Sequence, residues 1–169
     1  MQARELEKSE VQPFQLSLRI RHPSMDPAEL SREFKIEAEH CFRAGDPRPH
    51  RSAAVPASVH AESYWLGAIE PSRWPADILS FPGHSRLQIV QEHLRSSGTN
   101  SFGWSLSLCA TWFLHSHAEL LRRIRSDGGQ ISLLVALSTA EIGSFSLAPE
   151  ASRVFGELGI AVEFEFTDA

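Results

Sequence analysis

The stretch from Ser105 to Leu137 constrains the fold most, because its hydrophobic pattern changes from helical to strand-like at Gly128-Gly129. Before the glycines, apolar residues recur three and four positions apart, which predicts one long amphipathic helix. Its apolar stripe comprises Leu106, Cys109, Phe113, Leu120 and Ile124, with His117 on the same face. After the glycines, apolar residues fill both parities from Ile131 to Leu137. This predicts a central strand that is covered on both faces or nearly so.

Other segments alternate between apolar and polar residues, and this period of two predicts further strands. These segments are Phe14–Ile20, Ile36–Phe42, Ser63–Ile69 and Ile160–Phe166, with a short edge strand at Ser144–Leu147. The second strand would turn His40 inward. The last strand would bury Phe164 and Phe166 on one face and expose an acidic face, including Glu163, to solvent.

Three shorter helices are indicated by their start and stop signals. Asp26-Pro27 is a capping signature for a helix that ends near Phe34 and buries Leu30 and Phe34. A second short helix runs from Leu87 to Ser97 and ends at Gly98, and a third begins at Pro149 and ends at Gly159. We therefore expect an α+β fold with a mostly antiparallel sheet and helices packed on one face, as in ferredoxin-like sandwiches.

Composition limits the classes of protein that fit. The 169 residues suit one domain, so we expect a flexible N-terminal segment over residues 1–12 and a single α+β domain over residues 13–169. The net charge of −5 argues against a general nucleic-acid or membrane binder. No apolar run is long enough to span a bilayer, and the first ten residues lack an apolar signal core, so we expect a cytoplasmic protein.

Residues that carry chemistry do not form a catalytic or metal-binding motif. His115 and His117 are two apart on a helix and would point in nearly opposite directions. Cys41 and Cys109 lie in apolar runs, which favours reduced, buried thiols; the alternative is a disulfide between them. We expect no catalytic residue, no metal site and no cofactor.

The most promising surface lies around the proline-rich segment from Ala44 to Ala61, which has no hydrophobic period and is predicted to be a mobile loop. Arginine and aromatic side chains are typical of binding hot spots. The predicted binding residues are Arg43, Arg48, Trp65, Tyr64 and Asp46. The alternative is a solvated sheet face with Trp65 in the core.

Several short motifs resemble a known family. They are Phe42-Arg43-Ala44-Gly45-Asp46-Pro47-Arg48, Tyr64-Trp65-Leu66, Gly128-Gly129, Leu147-Ala148-Pro149 and Leu158-Gly159-Ile160. The chain resembles the bacterial domain of unknown function 4279 from Phe14 to Thr167. The resemblance implies a small bacterial α+β domain with no established reaction, so it supplies no catalytic residue.

These observations favour a non-catalytic bacterial binding module for a partner protein, one form of which is an immunity-type or accessory protein. The alternative is a small-ligand sensor in which Arg43 and Arg48 hold an anion over Trp65. An enzyme that uses Cys41 or a histidine is the third class. A concave pocket lined by Trp65 would favour the sensor, whereas a flat aromatic patch would favour a protein partner.

Overall fold

The computed structural model describes residues 14–49, 58–69, 106–107, 109–138 and 147–167. Their elements, in chain order, are β1 (Phe14–His22), α1 (Pro27–Phe34), β2 (His40–Phe42), β3 (Ser63–Ala68), a π-helix (Cys109–Leu114), α2 (Ala118–Ser126), β4 (Gln130–Ser138), α3 (Pro149–Leu158) and β5 (Ala161–Thr167). The predicted N-terminal segment, the helix after Pro82 and most of the strand before Ala148 lie outside the described residues.

The strands form a five-stranded sheet in the order β2-β3-β1-β4-β5. Every pairing is antiparallel except that of β4 with β5. Because β3 lies between β1 and β2, the elements from β1 to β4 have the split βαβ arrangement of ferredoxin-like folds. The α3–β5 unit then adds a parallel edge strand. The predicted α+β class with a mostly antiparallel sheet is confirmed.

One face of the sheet is buried beneath the helices. Along β1, Leu16, Leu18 and Ile20 are buried, and the register places Leu18 opposite Leu133 of β4 and Ile20 opposite Trp65 of β3. We call this side the helix face. The other side, the outer face, carries Arg19 and Arg21 of β1, Tyr64 and Leu66 of β3, and Gln130 and Ser132 of β4. The alternation of β1 therefore separates an apolar core from a polar surface.

The helix ends follow the predicted signals. The Asp26 carboxylate accepts a hydrogen bond from the Ala28 amide at 2.9 Å, which caps α1. Leu30 and Phe34 of α1 are buried, as predicted. Gly159 ends α3 in the left-handed conformation with φ of 60°, where a side chain would be strained.

The second strand is shorter than predicted, because Lys35 leaves α1 in a left-handed conformation and regular pairing resumes only at His40. His40 then lies opposite Leu66 on the outer face and is exposed, so the prediction that it turns inward is wrong. Cys41 is exposed as well, which corrects its assignment to the core.

The predicted long helix is interrupted. Residues Cys109–Leu114 form a π-helix, and a turn at His117 separates it from α2. A π-helix has more residues per turn than an α-helix, so the residues that face the core after it are shifted along the chain. Ala118 and Leu121 are buried where the predicted stripe places His117 and Leu120.

The last strand differs from its prediction at its C-terminal half. Phe164 and Phe166 are 40% and 68% exposed, although they project to the helix face. Their strand is at the edge of the described sheet, so their side chains have strand neighbours on one side only. Within the described residues, no helix is both long and apolar enough to cross a membrane.

We expect Phe34→Ala to lower the free energy of unfolding by about 3–5 kcal/mol, because Phe34 is fully buried and its loss leaves a cavity. The matched control Phe166→Ala removes an equal side chain from an exposed position and should cost about 0.5 kcal/mol or less. Urea denaturation followed by circular dichroism measures both changes. Equal losses in the two variants would contradict this assignment of the core.

Candidate functional site

The start and end of the predicted loop are paired with each other. The Gly45 amide donates to the His60 carbonyl at 2.8 Å, the His60 amide donates to the Asp46 carbonyl at 2.9 Å, and the Arg48 amide donates to the Ser58 carbonyl at 2.9 Å. These bonds prolong the β2–β3 hairpin beyond its strands. The expected lack of regular structure is therefore wrong for the described ends of this loop, its mobility stays a prediction, and its middle lies outside the described residues.

Two of the predicted binding residues stabilise the turn that follows β2. The Asp46 carboxylate accepts a hydrogen bond from the Arg43 amide at 2.7 Å. The Arg43 guanidinium donates to the Asp26 carboxylate at 2.7 Å, and both side chains are well exposed. The hydrogen bond from the Ala28 amide is the main cause that lowers the pKa of Asp26; desolvation opposes it, and the hydrogen bond from Arg43 lowers the pKa further. An exposed pair of this kind adds little stability, so it serves mainly to orient Arg43.

Trp65 lies on the opposite side of the sheet from the other aromatic residue of the predicted site. Its side chain is 0% exposed, its indole Nε1 donates to the Ser31 hydroxyl at 2.9 Å, and its ring centroid lies 5.3 Å from that of Phe34. This supports the alternative that Trp65 belongs to the core. The hairpin brings Arg43, Asp46, Arg48 and Tyr64 together and leaves Trp65 apart, and a binding role for the four stays a prediction.

Four aromatic or imidazole rings form a surface group that the sequence did not predict. Phe42 stacks on Tyr64 with centroids 5.1 Å apart and planes 13° from parallel, and it stacks on His60 at 3.6 Å and 20°. His40 meets Tyr64 edge-on at 5.7 Å. His40 is exposed and the other three are half-buried. We call these four residues the aromatic row; it continues from the outer face onto the hairpin extension.

The signal for this row is only partly visible in the sequence. His40, Phe42 and Tyr64 have the parity of one sheet face, but the pairing of Phe42 with Tyr64 depends on the β2–β3 register. His60 lies outside any strand and meets Phe42 only because the hairpin extension is paired. The predicted site therefore contained one member of the row, Tyr64.

A second polar group spans the middle of the outer face. Arg19 of β1 donates to the Glu163 carboxylate of β5 across the intervening β4, and lies 3.5 Å from the Ser132 hydroxyl. A hydrogen bond from Ser132 and then one from Arg19 lower the pKa of Glu163. These residues are far apart in the sequence, so only the strand order reveals the group.

A cavity of about 720 Å³ lies beside the interruption of the predicted long helix, and its lining includes Glu33, His117, Glu119 and Arg122. The His117 ring is half-buried, lies 4.6 Å from the Phe113 ring and makes a 2.8 Å hydrogen bond through Nδ1 with the Phe113 carbonyl. A carbonyl only accepts, so Nδ1 carries the proton. Desolvation lowers the pKa of His117, which favours the neutral ring.

The thiols give no sign of a nucleophilic centre. Burial raises the pKa of the Cys109 thiol, so it stays protonated. Cys41 is exposed, but its neighbour His40 projects to the other face of the strand. Both cysteines are free. Across the part of the chain that the structure describes, no group of three or more His, Cys, Asp or Glu residues is placed to hold a metal ion.

The fold and these surfaces define an α+β protein with a ferredoxin-like core and a polar, partly aromatic outer face. Comparisons with protein-family models, with curated proteins and with solved structures find no match to this chain. The resemblance to the bacterial domain of unknown function 4279 stays a hypothesis.

We expect the stability to fall as the pH drops from about 7.5 to about 5.5, partly through His117. Burial lowers its pKa below the ordinary 6.5; Lys35 lowers it further, while the Phe113 carbonyl and Glu33 raise it. In that range the unfolded chain therefore binds a proton that the folded chain does not. Urea denaturation at both pH values should show a smaller stability loss for His117→Leu than for the parent.

The control is His115→Leu, which changes an exposed histidine on the same segment. It should keep the pH dependence of the parent. If the His117→Leu variant keeps the parent's pH dependence of stability, His117 does not cause that dependence and the prediction is wrong.

Proposed function

We propose that this protein is a non-catalytic binding module that engages a partner protein through the aromatic row. The observation that carries the proposal is the stack of Phe42 between His60 and Tyr64 at the protein surface. The two cavities with described linings, at the helix interruption and around Arg19, are formed by other residues. A stacked surface patch favours a protein partner over a small ligand enclosed by a pocket.

The rings of the row are suited to the centre of an interface. Aromatic side chains bury a large area on binding, and contact with neighbouring rings restricts their rotation before the partner arrives. Charged residues flank the row along the hairpin, with Arg48 on the hairpin extension and Glu62 just before β3. An apolar, aromatic centre with a charged rim is the usual composition of a protein–protein interface.

The four predicted hairpin residues have different parts in this proposal. Tyr64 belongs to the row, and Arg48 is the exposed arginine whose backbone is fixed by its bond to Ser58. Asp46 holds the turn, and Arg43 is directed towards Asp26. We therefore assign direct contact to Tyr64 and Arg48, and a positioning role to Asp46. An immunity-type or accessory protein that occludes its partner is one form this module takes.

The sensor arrangement that the sequence indicated loses its support. It requires Arg43 and Arg48 to hold an anion over the Trp65 ring, but that ring is fully buried against Phe34. An enzyme that uses Cys41 or a histidine remains the third class, and a Cys41–His40 pair is not favoured because neighbouring residues in a strand project to opposite faces.

We expect Tyr64→Ala and Arg48→Ala to weaken binding of the partner by about 30-fold each, the effect of a hot-spot loss of about 2 kcal/mol. The partner is first captured from a lysate on the immobilised parent and on Tyr64→Ala, with quantitative mass spectrometry to find proteins that only the parent retains. The purified partner is then titrated against each variant by calorimetry.

The matched controls remove an aromatic ring and an arginine from other surfaces. Phe166→Ala removes an exposed ring from β5, and Arg153→Ala removes an exposed arginine that pairs with Glu157 on α3. Both should bind within about twofold of the parent, a difference below about 0.5 kcal/mol. If Tyr64→Ala also binds within twofold while its circular dichroism spectrum is unchanged, the aromatic row is not the interface.

A further inference from the structure

A small polar pocket of about 190 Å³ lies on the outer face, between β1, β4 and β5. The strand register sets two rows of its lining opposite each other, with Arg19 facing Ser132 and Arg21 facing Gln130, and Glu163 completes it. The pocket shares no lining residue with the aromatic row. Its five lining residues are polar or charged, and rigid sheet backbone positions all of them.

One end of this pocket is already satisfied internally. The Arg19 guanidinium donates to the Glu163 carboxylate, and the Ser132 hydroxyl lies within 3.5 Å of Arg19. The hydrogen bonds that lower the pKa of Glu163 keep its carboxylate ionised at neutral pH. Arg19 and Glu163 thus neutralise each other, and their pair forms one side of the pocket.

The other end has donors without acceptors. Among the described residues, Arg21 forms an ion pair with Glu62. Its Nε lies 3.8 Å from the Glu62 Oε1, which is too long for a hydrogen bond. The Gln130 side chain makes no hydrogen bond with any residue that the structure describes. A guanidinium and an amide therefore share one end of the pocket with unused N–H groups.

We infer that this pocket binds a small carboxylate monoanion between Arg21 and Gln130. The planar guanidinium matches the two oxygens of a carboxylate, and the amide offers a further N–H donor. The lining holds two arginines and one glutamate, an excess of one positive charge that Glu62, 3.8 Å from Arg21, partly offsets, so the pocket suits a monoanion better than a dianion. A phosphate dianion would add repulsion from Glu163.

The size of the pocket agrees with a small ligand. Pockets for drug-sized molecules span about 300–1,000 Å³, and the volume of about 190 Å³ lies below that range. The ligand class is therefore a short carboxylic acid rather than a nucleotide or a large cofactor.

The test is a titration of the ¹⁵N-labelled parent with sodium acetate at neutral pH, with chloride exchanged to hold ionic strength constant, because exposed charges are screened by salt. We expect saturable shifts that centre on the amides of Arg21, Gln130 and Ser132. Arg21→Gln should weaken acetate binding at least tenfold, and Gln130→Glu should abolish it by adding a negative charge.

Two controls make the result specific. Arg153→Gln removes an exposed arginine from α3 and should leave acetate affinity unchanged, and phosphate at the same ionic strength should bind at least tenfold more weakly than acetate. The inference is overturned if the acetate shifts do not saturate, if Arg21→Gln binds like the parent, or if phosphate binds as tightly as acetate. Arg48→Ala changes the proposed partner interface on the hairpin extension, away from the pocket, and should keep the acetate site, so the two proposals are tested separately.

Discussion

The pairing of β1 with both β3 and β4 is the constraint on which the rest of the structure depends. Side chains of a strand alternate between faces, so a shift by one residue would move Leu16, Leu18 and Ile20 from the core to the surface. The burial of these three residues therefore fixes the register with both neighbours. Each fully buried aliphatic side chain contributes about 1.5–3 kcal/mol, so the cost of a slip is large.

The same register determines the outer face without any further interaction. Once Ile20 is buried, Arg19 and Arg21 must project to the other side, beside Ser132 and Gln130 of β4. The polar pocket is thus a consequence of core packing. Its groups are held by backbone that the core makes rigid, which gives the close placement that carboxylate recognition requires.

The helix layer shows a different relation between packing and sequence. The ring centroid of Phe34 lies 5.3 Å from that of Trp65 and 5.8 Å from that of Phe113, so Phe34 joins α1 to the sheet and to the π-helix. The π-helix shifts the buried face so that Ala118 meets the core. His117 is then left at the edge of the core, where its ring packs on Phe34 at 5.1 Å and its Nδ1 proton has the Phe113 carbonyl as acceptor.

The sequence by itself determined the elements whose signals are local. The alternation of β1, the Asp26 cap of α1 and the Gly159 end of α3 need no knowledge of distant residues. Only the tertiary structure decided the face taken by His40, the burial of Trp65 and the exposure of Phe166. These three features depend on contacts between residues that are distant in the sequence. Alternation reports that a strand has two faces. Which face is covered, and how far the cover extends, depends on the neighbouring strands and helices that the fold brings together.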